Sequence, residues 1–134
     1  MKAARELARK GFTIRLRIDP LVPVNAWKVH YFRLVDDIFK CVNPERITLG
    51  SLRGLQSTIN GTKNKDQSWL LFLKENSNWG KKVEFKTRYN MYKELIYYFR
   101  NKYSYSELAL CKESKAMWEK LGLNWKNIKC NCIL

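Results

Sequence analysis

Thr13-Ile-Arg-Leu-Arg-Ile-Asp-Pro20, the stretch from Asn25 to Val42, and Arg46-Ile-Thr-Leu-Gly50 together decide the fold class. In the first segment Ile14, Leu16 and Ile18 alternate with Arg15, Arg17 and Asp19, the period of two that a β-strand needs. Pro20 and Pro23 end it. Across residues 25–42 the spacing changes. Trp27, Tyr31, Leu34, Val35, Ile38 and Phe39 form the stripe of an amphipathic helix, with Asn25 as its expected N-cap. Asn43-Pro44 breaks the helix, and Ile47 and Leu49 mark a second short strand. Strand, helix, strand with short connections is a βαβ unit, so the two strands are expected to run parallel.

The rest of the chain extends this pattern. Residues 2–10 read as a helix with Ala3, Ala4, Leu7 and Ala8 on one face and Gly11 at its C-terminal end. A chain that opens inside a helix predicts a further element upstream of Met1. Residues 51–65 read as a polar loop, 67–74 as a short helix, and 76–85 as a turn or small hairpin with Lys81 and Lys82 at its tip. A helix is expected over 87–102, with Met91, Leu95, Tyr98 and Phe99 buried. A third strand follows at 106–111, then a helix over 113–121 closed by Gly122, then a basic tail with Cys130-Asn-Cys132. The expected class is α/β, with parallel strands at about 13–19, 46–50 and 106–111.

The strands carry an oddity. Parallel strands usually read as continuous apolar runs because both faces are covered. Here Arg15, Arg17, Asp19, Thr48 and Arg53 lie on or just beyond the face away from the helix. Either the sheet curls around a wet, ligand-holding interior, as in an open barrel, or this is an edge strand with one solvated face.

At 134 residues, with 46% hydrophobic residues and Trp 5, Tyr 7 and Phe 6, the chain can bury the core of one modest domain, which argues against disorder. Its net charge of +14, from 26 Lys and Arg against 12 Asp and Glu, favours a polyanionic partner, nucleic acid before an anionic membrane surface. The N-terminus lacks the apolar core of a signal peptide, and the run from Trp69 to Leu73 is too short to span a bilayer. A cytoplasmic location is expected, with the four cysteines as thiols or ligands rather than disulfides.

Few residue patterns carry chemistry. His30, the only histidine, lies on a helix without a neighbouring nucleophile. The phosphate-loop sequence Gly-Lys-[Ser/Thr] is absent, and the carboxylates show no spacing that forces a pair. Cys111, Cys130 and Cys132 are the metal-ligand candidates, but the usual two-residue knuckle spacing is missing and Cys111 would have to meet the tail in space. Between Trp79 and Lys102 basic residues interleave with aromatic rings, a composition that can neutralise phosphates and stack on bases. On the helix itself the lysines read as a water-facing side. The Gly80–Phe85 tip reads as a contact surface.

Lys2-Ala-Ala-Arg-Glu-Leu-Ala-Arg-Lys-Gly-Phe12, then Arg15-Leu-Arg-Ile-Asp-Pro20 and Trp27, resembles the helix–strand–loop late in the barrel of spore photoproduct lyase-like radical SAM proteins. Arg46-Ile-Thr-Leu-Gly-Ser-Leu-Arg53 is similar to the next barrel strand, and Trp79-Gly80-Lys81 with the following helix to the hairpin and helix after it. The resemblance covers nearly all of residues 2–112 and rests on order and short strings. It implies a partial (β/α) radical SAM-type barrel with a basic hairpin over 1–112, and leaves the C-terminal helix and Cys-containing tail over 113–134 outside the resemblance. For the full-length family it implies S-adenosylmethionine and a [4Fe–4S] cluster, and reversal of thymine dimers in DNA.

Onto this chain the resemblance places Arg17, Asp19 and Pro20 at S-adenosylmethionine, and Arg53, Gly80, Lys81, Lys82 and Arg88 towards DNA. Two departures matter. The sequence contains no Cys-x3-Cys-x2-Cys, so it is not expected to hold the cluster or to react alone, and no catalytic residue is assigned. It also adds a helix and Cys130-Asn-Cys132 where the best-known lyases end. The expectation is a C-terminal fragment of such an enzyme, truncated or paired with its N-terminal half as a separate chain. The alternative is a non-catalytic basic nucleic-acid-binding module.

Overall fold

The computed structural model describes residues 2–61, 68–78 and 80–132. Parts of the expected 51–65 loop and 67–74 helix, and the Trp79 ring, lie outside these residues. The described elements are helix α1 (Lys2–Arg9), strand β1 (Arg15–Leu21), α2 (Trp27–Phe39), β2 (Arg46–Ser51), β3 (Arg53–Leu55), α3 (Gln56–Gly61), a 3-10 turn (Ser68–Phe72), β4 (Leu73–Ser77), β5 (Gly80–Val83), α4 (Phe85–Tyr103), β6 (Leu108–Leu110) and α5 (Lys115–Lys120). No helix among them is long and apolar enough to cross a membrane.

The expected parallel sheet is present, in the order β1-β2-β6. Its register aligns the apolar side chains. Leu16 pairs with Ile47 and Ile18 with Leu49, while Ile47 and Leu49 pair on their other side with Leu108 and Leu110. These rows pack with Val35 and Ile38 of α2 and with Met91, Tyr92, Leu95 and Phe99 of α4 in one core. Both crossover helices therefore lie on the same face of the sheet. Their burial dominates folding, since each aliphatic or aromatic side chain removed from water contributes about 1.5–3 kcal/mol.

An aromatic seam joins α2 to α4. Phe32 stacks on Tyr98 at 4.0 Å and Phe39 on Tyr103 at 4.2 Å. Asp36 sits between the pairs, accepting from Tyr98 at 2.8 Å, Tyr103 at 2.6 Å and Lys102 at 2.8 Å. Burial resists ionisation of this carboxyl, but the donors from Lys102, Tyr103 and Tyr98 outweigh it and hold its pKa down at about 2.

Several local expectations change. Asn25 does not cap α2; Ala26 occupies the N-cap in a left-handed conformation without a side-chain bond. The 51–65 loop is in part β3 and α3, and the 67–74 helix gives way to a strand at Leu73. The small hairpin near residue 80 is present as β4–β5, but Lys81 and Lys82 lie within β5 rather than at its tip, and it belongs to a second, antiparallel sheet in the order β3-β5-β4. Gly11 behaves as expected: its φ of 84° ends α1, and Phe12 N–H donates to the Leu7 carbonyl at 3.1 Å. The third strand is shorter than read, Leu108–Leu110. Residues 113–132 are not set apart from the core, because Met117, Trp118, Leu121 and Leu123 pack into it.

Candidate functional site

The C-terminal ends of parallel strands leave backbone and side chains pointing at one rim, where open α/β folds place their ligands. Three features of this chain meet there.

The first is a charged cluster. Asp19, near the end of β1, accepts from Arg17 at 2.6 Å and from Arg53 at 2.9 Å on one carboxylate oxygen. Gly50 makes room for it: a Cβ at that position would lie 2.6 Å from Asp19 Cγ. Arg53 also donates to the Ser51 carbonyl at 3.1 Å. The structure thus brings together Arg17, Asp19 and Arg53. Pro20 adjoins them in β1 but supplies no polar side chain.

The second is a thiol cluster that the sequence spacing alone did not favour. The tail folds back across the sheet face opposite the helices. Asn131 N–H donates to Thr48 Oγ1 at 3.1 Å, Asn131 Nδ2 to the Leu16 carbonyl at 2.8 Å, and Arg46 to the Lys129 carbonyl at 2.9 Å. This anchoring delivers Cys130 and Cys132 to Cys111, which follows β6. The three sulfur atoms lie within 4.8 Å of one another. Cys132 Sγ is 3.3 Å from Cys130 and 3.8 Å from Cys111. Arg17 joins this cluster to the first, donating to Cys132 at 2.8 Å and to Cys111 at 3.1 Å.

The thiols are inequivalent. Burial, then the neighbouring Cys130, pushes the Cys111 pKa up to about 12. Cys132, by contrast, is lowered by the hydrogen bond with Cys130, with Cys111 and Arg17 adding to it. The Asp19 carboxylate raises the pKa of Arg17, so its charge is fixed.

The third feature is a groove of about 1100 Å³ between the β4–β5 hairpin and residues 112–114. Lys81, Lys82 and Lys112 line it, with Asn76 and Ser77 among its neutral polar groups. Lys82 Nζ donates to the Lys112 carbonyl at 3.1 Å, tying the hairpin to the end of β6. Gly80 lines the groove but its main duty is structural, because its φ is 135° and a Cβ there would stand 2.1 Å from the Gly54 carbonyl oxygen.

Arg88 is elsewhere. Its side chain is 3% exposed and bonds to Glu113, to Glu75 at 2.9 Å and to the Val83 carbonyl at 2.6 Å. Glu113, 1% exposed, also accepts from Tyr92 at 2.9 Å and Ser51 at 3.3 Å. Arg88 therefore holds the groove wall from behind and offers nothing to a ligand. Lys112 is the groove residue the sequence reading missed. Its position just past a parallel strand was the available signal.

Comparisons of the chain with protein-family models, with curated proteins and with solved structures find no match to any of the three.

Proposed function

We propose that this chain is the DNA-facing, C-terminal portion of a spore photoproduct lyase-like radical SAM protein, supplying binding surface rather than radical chemistry. The observation that carries this reading is the lysine-lined groove at the C-terminal rim of the parallel strands. Its three lysines can neutralise phosphates. The sheet supports a barrel segment: consecutive parallel strands are neighbours, both crossover helices share one face, and β1 and β6 each keep an unpaired edge among the described residues.

The family's cofactors are a separate question, and the residues present do not fit them. Arg17, Asp19 and Arg53 would complement the charges of an amino-acid group, but they are already paired with one another, and Arg17 also bonds two thiols. The three sulfurs stand too close together for separate corners of a four-iron cluster. No reaction step is therefore assigned to this chain.

The covered sheet face favours a second reading, a nucleic-acid-binding module without catalysis, since Asn131 lies over Thr48 where a barrel would be open. Fluorescence anisotropy with ultraviolet-irradiated and unirradiated duplexes of one sequence separates the two. Tighter binding to irradiated DNA is expected for the lyase-like reading, equal binding for the module, and no salt-sensitive binding to either would overturn both.

A further inference from the structure

We propose that Cys111, Cys130 and Cys132 form a mononuclear site for a thiophilic divalent cation, zinc, with a fourth coordination position open to solvent. A zinc ion sits about 2.3 Å from each thiolate, so two sulfurs sharing a tetrahedral ion are about 3.8 Å apart. The observed separations, 3.3 and 3.8 Å with all three within 4.8 Å, match one shared ion after small adjustments. The ligands come from a rigid frame. Cys111 is fixed by its position after β6, where its N–H donates to the Leu49 carbonyl at 2.8 Å, and the tail is pinned by Asn131, which lies between its two thiols.

Charge supports the same assignment. Three thiolates and a divalent ion leave one net negative charge, and the Arg17 guanidinium already donates to two of the sulfurs. Such outer contacts orient metal-bound ligands and tune affinity. No histidine or carboxylate among the described residues joins the group, which leaves the fourth position to water or an exogenous ligand. Cys132 is exposed, so that position is reachable from solvent. Binding displaces thiol protons to solvent and involves no electron transfer. The site does not depend on DNA binding.

The test uses the full chain, reduced and freed of metal, titrated with Co²⁺ alone. Uptake of one equivalent is expected, with intense thiolate-to-cobalt charge transfer and the visible bands of a tetrahedral ion, both bleached by Zn²⁺. Cys132→Ser removes an exposed ligand and should abolish the charge-transfer signature while melting like the metal-free protein. Arg17→Gln should weaken Co²⁺ binding about 10–100-fold. Cys41→Ser, whose sulfur contacts Arg5 instead, should leave the titration unchanged. Absence of the signature in the folded wild type, or its persistence in Cys132→Ser, overturns the proposal.

Discussion

Glu113 and Arg88 are two side chains almost completely removed from water and paired with each other. Burial works against the Arg88 charge, but Glu113 and then Glu75 more than restore it, and its pKa is raised. Such a pair adds little compared with apolar residues of the same shape, yet removing one partner strands the other at a cost of about 3–5 kcal/mol. Arg88 keeps Glu75 and the Val83 carbonyl when Glu113 is removed, so Glu113→Ala should cost less than full stranding. A loss of about 1–3 kcal/mol is expected in a urea titration, and a smaller loss would mean that those two partners suffice. The other residue-scale prediction concerns Asp36. Its folded pKa lies below the ordinary 3.8, at about 2, so its contribution is complete above that ordinary value and is lost as pH falls through the folded one. The melting-temperature gap between wild type and Asp36→Asn should be constant above pH 4 or so and close on acidification towards pH 2. A gap unchanged at the acid end would rule this out. Arg88 also shows why charge type in a sequence is ambiguous. It stands one turn before Met91 and Tyr92 on the buried face of α4, and Glu75 and Glu113, brought near by folding, are what pair its charge there.

Elements were read with uneven success, for physical reasons. β1, β2 and α2 announce themselves through clean periods of two and of three to four. β3 and β4 do not, because Arg53-Gly-Leu55 and Leu73-Lys-Glu-Asn-Ser77 are short, polar and held mainly by pairing with β5. Their partner strand depends on one backbone position. Gly80 pairs with Leu55 on one side and Ser77 on the other at a φ of 135°, with no room for a Cβ. Gly80→Ala should therefore unpair the small sheet and leave the parallel one intact. Amide hydrogen exchange would report this as lost protection at residues 80–83 with no change at Ile47 and Leu49. Protection lost equally in both sheets would show that they unfold as one unit.

At the scale of the whole molecule, the sequence revealed a basic α/β chain with a polar sheet face, but not what covers that face. The tail's partners, Thr48, Leu16 and Arg46, are far from it in sequence, and no local pattern links them. The thiol cluster was legible only as a candidate set for the same reason: Cys111 and Cys132 meet because β6 and the tail converge on one rim. The charge distribution is the better guide to binding. If Lys81, Lys82 and Lys112 each neutralise one phosphate, removing each should reduce the slope of log affinity against log salt by about 1. The triple alanine variant should then bind duplex DNA more weakly and with a slope reduced by about 3. Lys40, at the far end of α2 and already paired with Asp37, provides the contrast, and Lys40→Ala should leave the slope unaltered. Equal effects from Lys40 and the groove lysines would mean that DNA responds to the overall +14 charge and not to the groove. A slope lowered only by the groove variants would locate the phosphates at the rim where the parallel strands end, beside the three thiols.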